Sequence, residues 1–208
     1  MRCTRAATTS STSAASCDRC AASEPAVSGY VCPECGLDYD TISPSDAVAA
    51  VRSFPRRYRE KLLGFTDDTA DDLDAVVRRR PEPSVWSALE YTAHVRDMLE
   101  WMADAIRRMN HEREPTVDWF DPDKRALADR YNDQDPVRVL DGLTAAADRL
   151  AVVLRDVDAG DWGRLGDFPW GSRDMLTMAR NAVHEGAHHL RDVDRVLRAV
   201  VGHPPPPA

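Results

Sequence analysis

The sequence predicts an all-α protein: a four-helix bundle preceded by a small zinc ribbon. Three observations carry that expectation. Ala, Leu, Arg, Asp and Val dominate, and aromatic residues make up only 7% of the chain, so much of the strand-forming alphabet is missing. Four long segments repeat apolar residues in steps of three and four, the spacing of one buried helix face. Four of the five cysteines fall into two C-x-x-C pairs near the start.

Composition bounds the class of protein. At 208 residues and 43% hydrophobic the chain can bury one main domain plus a small appendage. No stretch approaches the roughly 18–20 apolar residues of a membrane span, so no membrane partner is expected. The formal net charge of −8 argues against a nucleic-acid footprint, which needs a clustered basic surface. Arg78, Arg79 and Arg80 form the one tight basic run, at an expected helix end where cations suit the dipole. Residues 1–15, rich in Ser and Thr and without an apolar run, read as a disordered leader rather than a secretory signal. Residues 202–208 read as a Pro-rich tail. A cytoplasmic location is expected.

The first module spans residues 16–40. Cys17-x2-Cys20 and Cys32-x2-Cys35 can each turn two thiolates toward one tetrahedral ion, and the eleven residues between the pairs include Gly29, suited to a turn. In a cytosolic chain this spacing favours structural Zn2+ over disulfides, with rubredoxin-like iron as the competitor. Cys3 is left over. The module's mixed charge makes it a metal-stapled appendage that docks on the main domain or on a partner.

The bundle is expected over residues 44–201. "TISPSDAVAAV" starts it, with Ser43 as N-cap and Pro44 at the first helical position. Pro55 predicts a break, giving a short helix over about 44–52 and a first bundle helix over about 55–65. A short helical piece follows, closing in a Pro-rich turn. The second bundle helix has its seam at Ala88, Tyr91, Val95, Met98, Met102, Ala105 and Met109. Residues 111–134 read as a long, mostly irregular crossover carrying Trp119 and Phe120. The third helix starts at the N-cap Asp135 and Pro136, with its seam at Val139, Leu143, Ala146, Leu150 and Val153. "DAGDWGRLGDFPWGS" is a loop, after which Ser172 is expected to cap a last helix over about 173–201. Its seam runs through Leu176, Ala179, Val183, Gly186, Leu190, Val193, Leu197 and Val200.

The last helix carries "VHEGAHHLRDV", with two pairs four residues apart: His184 with His188, and Glu185 with His189. On a wheel at about 100° per residue, His189 lies roughly 50–60° and Glu185 roughly 90–100° from the centre of the seam. His184 and His188 lie more than about 150° away, on what the wheel marks as the solvent side. On the second helix His94 lies roughly 70° from its own seam centre. Two imidazoles and a carboxylate can therefore converge from two helices. That donor set suits a divalent first-row metal with positions left open for water or substrate.

"VWSALEYTAHVRDML", followed far downstream by "NAVHEGAHHLRDV", resembles the DinB-like superfamily, which includes YfiT-type proteins and thiol-dependent maleylpyruvate isomerases. The resemblance covers about residues 45–201 and leaves out the ribbon. It implies an up-up-down-down four-helix bundle with a metal at one end, held by one residue of the second helix and two of the last. Carried onto this chain those ligands are His94, Glu185 and His189, around Zn2+ or Ni2+.

It further implies a metal-dependent transferase or isomerase in which the metal activates a low-molecular-weight thiol, mycothiol being the first to try, for attack on an electrophilic small-molecule substrate. Asp192 would orient a ligand imidazole. Trp119, Phe120 and Trp170 would wall the pocket, with Trp86 in the core. Metal-assisted hydrolysis and a non-enzymatic metal-binding stress-response module are the alternatives. A homodimer is compatible with all three.

Overall fold

The computed structural model describes residues 29–64 and 73–202. The predicted leader, the Pro-rich tail, Cys3, Cys17 and Cys20 lie outside them.

Among the described residues, six α-helices and one hairpin follow the N-terminal segment: α1 Pro44–Leu63, α2 Leu73–Arg78, α3 Ala88–His111, α4 Pro122–Ala128, α5 Pro136–Arg155, β1 Leu165–Phe168, β2 Gly171–Asp174 and α6 Met175–Val201. The long helices α1, α3, α5 and α6 form a four-helix bundle. Its core is lined by the expected seams, with Leu176 and Val200 of α6 and Val153 of α5 only half-buried at the edges.

Local sequence explains most boundaries. Ser43 and Asp46 close a reciprocal capping box on α1, and Ser87 and Glu90 close another on α3. Arg80 grips the buried Glu90 through both carboxylate oxygens at 2.8 and 2.5 Å, and Arg78 binds Asp74 and the carbonyls of Asn132 and Gln134. The arginine run is thus partly consumed in tying α2 to the start of α3 and to the crossover.

Three local expectations are corrected. Pro55 does not break the first helix: α1 runs unbroken through it. Losing one backbone hydrogen bond costs roughly 3 kcal/mol in an isolated helix; here Val51, Phe54, Tyr58 and Leu62 on one face are all fully buried, and that packing outweighs it. The Gly/Pro/Trp loop contains an antiparallel hairpin, with Phe168 opposite Gly171 and the positive φ of Gly171 (+103°) completing the turn. Ser172 is consequently a strand residue facing Asp167, and the N-cap of α6 is Asp174, whose carboxylate accepts from the Thr177 N–H. The crossover is also less irregular than expected: it contains α4, capped by Asp121, and a 3-10 turn at Tyr131–Asp133.

Side-chain pairings set the helix directions. α1 and α6 run parallel, since Ile42 meets Arg180, Tyr58 meets Gly186 and Lys61 meets Asp194. α3 and α5 also run parallel: Arg96 lies against Gly142, Glu100 binds Arg149, and Asn110 binds the Asp156 carbonyl. α3 and α6 are antiparallel, with His94 near Glu185 and Met109 near Gly166 just ahead of α6. The bundle therefore has two helices each way, in chain order up-down-down-up, so the parallel pairs differ from those the up-up-down-down order implied. The long crossover has its reason here: joining two parallel neighbours requires a connection that travels back along the bundle.

Residues 30–42 lie along the outer face of α6. A Val31–Asp38 bridge and the Cys32 N–H to Leu37 carbonyl bond fold this segment into a tight knuckle. The Arg191 guanidinium donates to the Glu34 carbonyl and Arg180 to that of Ile42, holding the two ends of the segment on α6.

Candidate metal centre

Helix α3 supplies His94, two turns beyond its capping box, and α6 supplies Glu185 and His189 one turn apart. All three are buried, with His94 and His189 each 1% exposed. One oxygen of Glu185 lies 3.6 Å from Nε2 of His94 and 3.3 Å from Nε2 of His189. One ligand atom from each residue fits within 4.8 Å of the others.

The polar groups here are poorly matched to one another. Both ring nitrogens of His94 and one oxygen of Glu185 are buried without a hydrogen-bond partner. Orphaned buried polar atoms are costly, of order 1–3 kcal/mol each, and they are rare in folded proteins. A divalent cation between the three residues would give Nε2 of His94 and the Glu185 oxygen a partner, so the donor set fits such a metal.

Asp192 completes the arrangement. Its carboxylate accepts from Nδ1 of His189 at 2.9 Å, which turns Nε2 of that ring toward Glu185 and His94. Arg195 donates to the other Asp192 oxygen at 2.5 Å. Electrostatics follow from this crowding. Burial pushes the His94 pKa down, because an imidazolium is poorly solvated there. Burial also opposes charge on Glu185, yet the His189 and His94 imidazoles beside it outweigh that and hold its pKa well below the carboxylate range. For His189 burial works against the charged ring, but Asp192 and Glu185 on either side raise its pKa to about 10.

The rings around the site differ from those expected. Trp86, half-buried rather than core, packs edge-on to His94 with centroids 5.2 Å apart, and Tyr91 stacks on His189 at 5.3 Å. Trp119, Phe120 and Trp170 instead gather around Trp101, a cluster two turns further along α3. A cavity of about 420 Å³ opens between Asp97, Trp101, Phe120, Arg125 and Arg149, next to that cluster, and the triad does not line it. Tyr91 belonged to the α3 seam, and Trp86 lies just ahead of that helix. Their offsets from His94, i−3 for Tyr91 and i−8 for Trp86, were the available signal.

His184 and His188 do point away from the bundle, but they are not solvated: the knuckle covers them. Nδ1 of His188 is 3.8 Å from Sγ of Cys32, and the Tyr39 hydroxyl meets Nδ1 of His184 at 3.1 Å. The wheel gave their direction correctly and could not say what lies there.

Comparison with known proteins agrees with this architecture. The family model described as the DinB superfamily matches residues 56–193. Among solved structures, YfiT from Bacillus subtilis, described as a probable metal-dependent hydrolase with an unusual four-helix bundle topology, superposes with a TM-score of 0.68 at 15% identity, covering 79% of this chain and 93% of that one. Mycothiol-dependent maleylpyruvate isomerase superposes with a TM-score of 0.54 at 16% identity, covering 76% of this chain and 68% of that one. A mutant form of the same enzyme gives 0.58 at 14% identity, with 74% and 62% covered. Curated protein sequences give no significant match. Among the described residues no helix is long and apolar enough to cross a membrane. With well over half its length matched by the family model, the chain belongs to the DinB superfamily.

Proposed function

We propose that this chain is a metal-dependent S-transferase that joins a low-molecular-weight thiol, of mycothiol type, to an electrophilic small molecule, with His94, Glu185 and His189 as the metal ligands. The observation that supports the reading best is the buried donor set itself: two imidazoles and one carboxylate, among which the ring nitrogens of His94 and one oxygen of Glu185 have no hydrogen-bond partner. Three protein ligands leave coordination positions for an exogenous group. The likeness to a mycothiol-dependent isomerase adds the class of co-substrate.

A bound Zn2+ or Ni2+ would supply Lewis acidity, lowering the pKa of a thiol in an open position so that thiolate is available at neutral pH. The chain's own residues do the rest. Glu185 contributes the negative charge that balances part of the cation's. Asp192 holds the proton on Nδ1 of His189 and so keeps Nε2 as the donor. Trp86 and Tyr91 cover the two imidazoles with apolar ring faces and edges and keep bulk water off them.

The test is a turnover screen. Purified metal-loaded protein is incubated with mycothiol, bacillithiol or glutathione and a generic electrophile, and conjugate is measured by mass spectrometry. Conjugation that disappears on chelation and in His94→Ala is the expected result. Loss of electrophile with no thiol present would replace the reading with a hydrolase, the description YfiT carries. Metal binding without turnover across a broad panel would replace it with a non-enzymatic binding module.

A further inference from the structure

We propose that Cys32, Cys35, His184 and His188 form a second, structural metal centre, a Cys2His2 zinc site that pins the N-terminal knuckle to the outer face of α6. One ligand atom from each of the four lies within 4.8 Å of all the others. A tetrahedral zinc with Zn–S near 2.3 Å and Zn–N near 2.0–2.1 Å sets its donors roughly 3.3–3.8 Å apart. The Cys32 Sγ to His188 Nδ1 separation of 3.8 Å already meets that.

The surroundings prepare each ligand. The Cys35 N–H donates to Sγ of Cys32 at 3.5 Å and the Gly36 N–H to the Cys32 carbonyl at 2.8 Å, so the chain turns back on itself with both sulfurs on one side. Gly36 makes that turn with a φ of +73°. The Tyr39 hydroxyl donates to Oδ1 of Asn181 and therefore accepts from Nδ1–H of His184. That fixes the tautomer, and Nε2 of His184, buried and without a partner, carries the free lone pair. On His188 the outer nitrogen faces carboxylate oxygens of Glu34 at 3.6 Å and Asp192 at 3.7 Å, leaving Nδ1 for the ion.

This assignment competes with the tetrathiolate expected from Cys17, Cys20, Cys32 and Cys35, because two cysteines cannot complete both shells around one ion. It shares no ligand with the inner triad: along α6 His184 and His188 face outward and His189 inward.

The full chain is loaded with Co2+ under reducing conditions, and the near-ultraviolet thiolate-to-cobalt band is recorded. The band should persist in Cys17→Ser/Cys20→Ser and in Glu185→Gln, and be lost in His184→Ala/His188→Ala. A band lost in Cys17→Ser/Cys20→Ser but kept without the two histidines overturns the proposal, as does a wild-type protein with no band. Should the double histidine variant fail to fold, zinc X-ray absorption on Glu185→Gln decides: two sulfurs and two nitrogens per outer zinc are expected, and four sulfurs overturn the site.

Discussion

The two faces of α6 make opposite uses of the same spacing. Inward, Glu185 and His189 share a packed interior with His94, Trp86 and Tyr91. Outward, His184 and His188 meet a single irregular segment that brings two thiols. The i, i+4 interval is the same, but the company differs in donor softness: carboxylate and imidazole inside, thiolate and imidazole outside. Imidazole with carboxylate suits an open, exchange-competent centre, whereas thiolate-rich closed shells suit structural zinc. Asp192 lies between them, 2.9 Å from the inner His189 and 3.7 Å from the outer His188.

The comparison can be broken most sharply by removing the inner carboxylate. Glu185→Gln should lower metal content by one equivalent per chain while the outer site stays loaded, read by inductively coupled plasma mass spectrometry after gel filtration. Loss of both equivalents would mean that the faces are not separate centres. Asp192→Asn comes next. Disturbing a ligand's supporting hydrogen bond typically costs about 10–100-fold in metal affinity, and that loss should fall on the inner centre more than the outer, measured by competition with a chromogenic chelator.

A third change tests the packing that sets α6 in register. A Cβ on Gly186 would sit 2.2 Å from the ring of fully buried Phe54 on α1. Gly186→Ala should destabilise by about 1–3 kcal/mol as an overpacking change, seen as a lower midpoint in urea unfolding of the metal-loaded protein. An unchanged midpoint would show that α1 and α6 can part without cost. The smallest expected effect is Tyr39→Phe. It removes the acceptor for Nδ1–H of His184, and chelator competition should show the outer centre weakened by roughly tenfold with the inner one unaffected.

How much of this was legible beforehand follows from what a periodic pattern encodes. The seams of α3 and α6 are strongly apolar, so the bundle and the inward direction of His94, Glu185 and His189 could be read from angles alone. Angles also gave the outward direction of His184 and His188. They could not give the cover, because the contact with Cys32 spans 156 positions of sequence and no local pattern encodes it. The clue was a ligand count: two outward histidines one turn apart on a helix, and a C-x-x-C knuckle elsewhere, sum to a complete zinc shell.

Other expectations failed where tertiary packing overrules local preference. Pro55 stays helical because its neighbours are buried on one face. The hairpin at Leu165–Asp174 carries few strand-forming residues and owes its place to long-range pairing: the Val117 N–H donates to the Asp167 carbonyl, the Asp167 N–H to that of Pro115, and Arg164 reaches the Met109 carbonyl. The aromatic loop residues were legible as a group and not by position, since Trp119 and Trp170 pack on Trp101 rather than on the imidazoles.

The most direct test is anomalous diffraction at the zinc absorption edge from crystals of the zinc-loaded protein. The account predicts a peak within about 2.0–2.2 Å of Nε2 of His94, Nε2 of His189 and a carboxylate oxygen of Glu185. A map with zinc only beside Cys32 and Cys35, and with Glu185 hydrogen-bonded to the two imidazoles instead, would contradict it.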